Sequence, residues 1–193
     1  MNLEPIPILD HHCHTIRRPG APLWGDEFRR FFAETTDPRM PQHIRHTVFY
    51  KRILRDLAAL FGCEPNEQAL LELRAATPPE QYARQLFDAA NFCGLLVDVG
   101  FRGPDSYEPG ELGALAGLPV APIMRLETRM EQLIAEHAGL GAAEEALRAE
   151  VRAARQQGIV GLKSIAAYRG GLHVAPRTHA EAAAAYARLR ELV

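Results

Sequence analysis

What most constrains this chain is the alternation of four short apolar runs with stretches of helical periodicity. The first run, Ile6-Pro7-Ile8-Leu9, leads into Asp10-His11-His12-Cys13-His14; the others span residues 94–101, 120–127 and 159–166. Short apolar runs bounded by glycine and proline read as buried strands, and strands alternating with helices pair in parallel through right-handed crossovers. The expected fold is α/β, a (β/α)8 TIM-type barrel cut to its first four βα units. A whole barrel takes about 250 residues, and this chain has 193. One partial barrel domain over 1–193 is expected, the N-terminal piece of a longer protein, because no C-cap signal follows the last helical stretch before Leu192-Val193.

Residues 26–76 read as a helical insertion after the first strand. Phe28, Phe31 and Phe32 have helical spacing, as do Ile53, Leu54, Leu57, Leu60 and Phe61, with Gly62 as a stop. A lid or a partner surface is the expected role. Three capping boxes are expected to start later helices, at Thr77 to Glu80, Thr128 to Glu131 and Thr178 to Glu181. Pro122 is awkward in a central strand and is expected near a strand start or at a bulge.

The net charge of -2 argues against nucleic acid and against an anionic membrane surface as partners. No apolar run is long enough to span a bilayer, and the N-terminus lacks a basic region followed by an apolar core. Three scattered cysteines, Cys13, Cys63 and Cys93, read as reduced thiols in a cytoplasmic protein. A small-molecule substrate is the expected partner, with homo-oligomerisation open.

The chemistry-bearing groups gather at the C-terminal ends of the expected strands. His12 and His14 are two apart, so they share one strand face and can grip one divalent metal. Zinc is the expected guest, with manganese or iron as alternatives. Cys13 faces the other way. Asp10 and Asp98 are expected behind the ligands, Asp98 there or as a loop cap. Arg125 and Glu127 share a face as an ion pair or as substrate-orienting groups. Arg17 is a candidate carboxylate clamp, as is Arg169, and Tyr168 should reach the same mouth. Lys163 stands among apolar and small residues, where a lone ammonium must lose its charge or find a partner. It reads as a carbamate bridging two metals, as a holder of a substrate carboxylate or carbonyl, or as a snorkelling side chain.

Asp10-His11-His12-Cys13-His14 resembles the D-x-H-x-H opening of the amidohydrolase superfamily. The stretches Arg29 to Phe32, His46 to Tyr50, Met124 to Glu127 and Gly161 to Arg169 are similar to its amidohydrolase-related (amidohydrolase 2) branch, sometimes fused to a glutamine-synthetase-like domain. That resemblance implies a metal-dependent barrel with His12 and His14 as the first ligands. Further ligands would come from later strands, beyond this chain, and Lys163 holds the place of a strand-four lysine that some members carbamylate. The function it implies is hydrolysis of a small amide, lactone or carboxylated compound by a metal-activated water. A metal-dependent decarboxylase of the same superfamily is the alternative. Asp10 to Thr15 also resembles a PHP-type phosphoesterase opening, although Ile16, Arg17 and Arg18 stand where an acidic residue should follow. A non-catalytic half-barrel that dimerises or binds a partner through its strand edges is the reading from outside enzymes.

Overall fold

The four apolar runs become four parallel strands in the computed structural model, which describes residues 5–192. Residues 1–4, and Val193 at the end of the expected last helix, lie outside the described residues. In chain order the elements are β1 (Ile8–Cys13), α1 (Gly25–Arg29) with a 3-10 turn (Arg30–Phe32), α2 (Met40–Ile44), α3 (Val48–Phe61), α4 (Glu67–Ala76), α5 (Pro79–Ala89), β2 (Phe92–Asp98), α6 (Pro109–Ala116), β3 (Val120–Arg125), α7 (Leu126–Glu136), α8 (Leu140–Ala153) with a 3-10 turn (Ala154–Gln157), β4 (Gly161–Lys163), α9 (Ala166–Arg169) and α10 (His179–Arg190). The described residues form two units, one of residues 5–18 and 92–192, the other of 19–91.

The first unit holds the sheet, with strand order β1-β2-β3-β4 and every pair parallel. The expectation of a truncated (β/α)8 TIM barrel is not met. Among the described residues the sheet is open: β1 pairs with β2 alone and β4 with β3 alone. Alternation of strands with helices dictates parallel pairing and neighbour order, but barrel curvature also needs a definite strand tilt and stagger, and no hydrophobic pattern encodes those.

The last three strands are also shorter than their apolar runs. β3 stops at Arg125 because Leu126 already begins α7. β4 keeps three residues. Pro122 sits within β3 without a bulge. Its carbonyl accepts from Val160 N at 3.0 Å, so its missing N–H also points to the β4 side, ahead of Gly161 where that strand begins. Leu95, Val97, Leu112, Ala116 and Ile123 are buried around the sheet. A second cluster, Leu133, Ala143 and Tyr186, packs α7, α8 and α10 together.

Of the three expected capping boxes, one forms. Thr178 and Glu181 cap α10 reciprocally. Thr128 instead lies inside α7 and its hydroxyl donates to Gly100 O. Thr77 closes α4 by donating to Leu73 O, and α5 starts after Pro78. A proline there cannot offer the N–H that a Glu80 side chain would need at the cap.

The second unit is built on Phe28, Ile44, Tyr50 and Leu71, with Phe32 and Leu54 against them. Phe28 and Phe32 meet edge to face at 5.1 Å between centroids, whereas Phe31 is exposed, because α1 tightens into a 3-10 turn. Beside this core Glu67 accepts from Tyr50 Oη at 2.8 Å and from the Arg29 fork at 2.7 Å through both Nε and Nη2.

Candidate metal centre

Parallel pairing puts the C-terminal ends of all four strands at one end of the sheet, outside which open α/β sheets hold their ligands. The residues there are His12 and His14 at the end of β1, Asp98 on β2, Arg125 on β3 and Lys163 on β4. Between Asp10 and Cys13 the β1 register slips, since those two face Leu95 and Val97 on β2. Three steps on one strand therefore match two on the other. Such a bulge re-aims side chains at the end of a strand, and here His12 lies in it. Asp10 braces it, its Oδ1 accepting from His12 N at 3.1 Å.

His12, His14 and Asp98 each offer one ligand atom, and these atoms all lie within 4.8 Å of one another. Among the described residues they are the one group of three such side chains so placed. His12 Nε2 lies 3.6 Å from Asp98 Oδ2, and the two imidazoles meet edge to face at 5.4 Å. Cys13 turns away and donates its Sγ hydrogen to Leu96 O. Burial, then the nearby Asp10 charge, push its thiol up to about 11.

Asp98 is fully buried, at 0 % exposure. A carboxylate there must be compensated. Arg125 donates to its Oδ2 from Nε at 2.9 Å and from Nη2 at 2.5 Å, and Gly100 N donates to Oδ1 at 2.9 Å. Burial alone would raise the carboxyl, but the Arg125 fork, with Gly100 and the nearby His14, holds it below the usual carboxylate range. Lys163 finds a partner in His12: Nζ lies 2.8 Å from Nε2.

Two further features complete the mouth. Thr15 Oγ1, next along from His14, is buried without a hydrogen-bond partner. Phe101 meets His14 edge to face at 5.3 Å, and the Arg125 guanidinium sits 5.2 Å from its ring centre.

The structure thus gathers His12, His14, Asp98, Arg125 and Lys163, with Asp10 behind them. Glu127 is not paired with Arg125. It lies in the first turn of α7, where its carboxylate accepts from Ser164 Oγ at 2.5 Å and Ile165 N at 2.9 Å and so anchors the loop after β4. The period of two fails there because the strand has already become helix. Arg169 pairs with Glu131 at 3.1 Å, and Tyr168 on α9 is 85 % exposed. Arg17 forms a backbone bridge with Ser106, and Arg18 pairs with Glu111 at 2.5 Å, fastening the loop after β1 to the start of α6. The sequence reading placed Asp98 behind the ligands or as a loop cap. The structure makes it a cap of Gly100 and a member of the donor group. The available signal was a carboxylate closing the apolar run Leu95-Leu96-Val97. Phe101, the last residue of the apolar run 94–101, lies past the end of β2.

No family model matches the chain, and no curated protein matches it. Among solved structures it is similar to a Lactobacillus casei ATCC 334 protein provisionally described as a metal-dependent hydrolase. The identity is 31 % and the TM-score 0.84, over 98 % of this chain and 50 % of that one. The chain therefore spans about half the length of the solved structure it matches.

Proposed function

We propose that His12, His14 and Asp98 hold a divalent metal, zinc in the first instance, and that the chain belongs to a metal-dependent hydrolase acting on a small carboxylated, amide or lactone substrate. The observation that carries this is the convergence of two imidazoles and one buried carboxylate at the carboxyl ends of a parallel sheet. The donor set fits the metal. Two nitrogens and a carboxylate are the three-ligand pattern of catalytic zinc and, with other open positions, of non-haem iron. Lys163 Nζ stands against His12 Nε2 at 2.8 Å, beside the donor group. The solved hydrolase of similar structure supports the same reading. When bound, the metal supplies a Lewis acid and lowers the pKa of a coordinated water to about 7.

The chain's own residues do the rest. Arg125 orients the Asp98 carboxylate and balances its buried charge. Lys163 adjoins His12 and offers either an ammonium to a substrate carboxylate or, as a carbamate, a further oxygen ligand. Lys163 at the mouth offers a partner for an anionic group of the substrate, which favours a carboxylated one. The experiment is a screen of carboxylated lactones, amides and esters against the zinc-loaded chain and its Lys163→Met variant. Hydrolysis of a carboxylated substrate that falls in Lys163→Met supports the reading. Release of CO2 without hydrolysis would move it to decarboxylation.

A further inference from the structure

We propose that Phe101 is the specificity-determining residue of this centre, forming an apolar wall that receives an aromatic or other planar group of the substrate beside the metal. The inference rests on the metal-dependent reading above and names the class of substituent that the site selects. A lone exposed apolar side chain needs no explanation by itself. What sets Phe101 apart is how it is held and what it touches.

The residue before it, Gly100, is fixed by three neighbours. Gly100 N is tied to Asp98 Oδ1 at 2.9 Å, and Gly100 O accepts from Thr128 Oγ1 at 3.3 Å. Gly100 also lies so close to β3 that a Cβ on it would stand 2.4 Å from Arg125 Cβ. Only a glycine lets the loop pass there. The next residue is thereby delivered to the donor group, where its ring meets one ligand, His14, and the guanidinium that orients another, Asp98. Yet Phe101 remains 64 % exposed. A ring that follows an anchored glycine, touches a candidate ligand and a guanidinium, and is open over most of its surface is a preformed contact for a flat apolar group. Edge-to-face or offset stacking on it would lie next to whatever His14 holds.

Two zinc-binding probes that share a head group test this: benzohydroxamate and acetohydroxamate, titrated calorimetrically into the zinc-loaded chain, wild type and Phe101→Ala and Phe101→Leu. The wild type is expected to bind benzohydroxamate about tenfold more tightly than acetohydroxamate, the size of one good aromatic contact. Phe101→Ala should lose that preference while keeping its zinc and its affinity for acetohydroxamate, and Phe101→Leu should fall between. Equal wild-type affinities, or a preference that survives in Phe101→Ala, would overturn the assignment of Phe101 and leave the metal centre standing. A chain that takes up zinc in neither variant nor wild type would overturn the metal reading, and this inference with it.

Discussion

Replacing Arg125 by methionine isolates the interaction on which the centre depends. Arg125 has 11 % of its side chain exposed and Asp98 none, and the guanidinium places two donors on one carboxylate oxygen. Met keeps the apolar stem but leaves a buried carboxylate with the Gly100 amide as its main donor. Breaking a buried pair from one side costs about 3–5 kcal/mol, and the remaining Gly100 bond and the nearby His12 place this case near the lower end. The pH dependence has a definite sign. In the wild type the folded carboxyl lies below the usual value, so its stabilisation is present above the unfolded pKa of about 3.9 and is lost as pH falls through the folded one. In Arg125→Met, burial dominates and the folded pKa rises above about 3.9, so the variant loses stability as pH climbs through that range. The gap between the two proteins therefore widens from acid toward neutral pH. Urea unfolding followed by circular dichroism at about pH 5 and pH 7.5 measures it. The Asp98→Asn, Arg125→Met double variant should recover much of the loss, since no buried charge remains. A penalty under about 1 kcal/mol at neutral pH, one that does not change with pH, or a double variant as unstable as the two single losses combined would refute the reasoning.

Three further outcomes are expected. Burial would raise Glu67, but the Arg29 fork and Tyr50 hold it below the usual range. Glu67→Gln should therefore cost about 1–3 kcal/mol at neutral pH, and the difference from wild type should shrink as pH falls through the folded pKa, read from acid-titration unfolding curves. Gly100→Ala drives a methyl into Arg125 Cβ and should cost about 1–3 kcal/mol, measured by thermal unfolding, with the Asp98–Arg125 geometry disturbed in the same variant. At neutral pH, iodoacetamide should label the exposed Cys93 while the half-buried Cys13, whose thiol is raised to about 11, stays unmodified by mass spectrometry.

The sheet was legible where the physics is local. The runs around Leu95 to Asp98 and Val120 to Arg125 declare buried parallel strands by apolar continuity, and the H-x-H spacing marks His12 and His14 as a pair, although a bulge at the end of β1 and not regular alternation aims them. Barrel architecture was not legible, since whether a parallel sheet curls toward a barrel depends on strand tilt and stagger that no single run records. The limits of β3 were also hidden. Leu126 is as compatible with helix as with strand, and tertiary context decides, so the supposed Arg125–Glu127 pair dissolved into two separate anchors. Asp98 was visible as an anomaly in an apolar run, but its share in the donor group depends on the distance between two strands that are far apart in sequence. The Thr77 box failed for a local reason that was present in the sequence, the proline at the cap itself.

The most direct test is zinc uptake by the purified chain, with elemental analysis after dialysis, beside His12→Ala, His14→Ala and Asp98→Asn, each checked for fold by circular dichroism. The account predicts about one equivalent in the wild type, and strong depletion in all three variants, Asp98→Asn included. A folded wild type that takes up no metal from excess, or an Asp98→Asn variant that retains as much as the wild type, would contradict it.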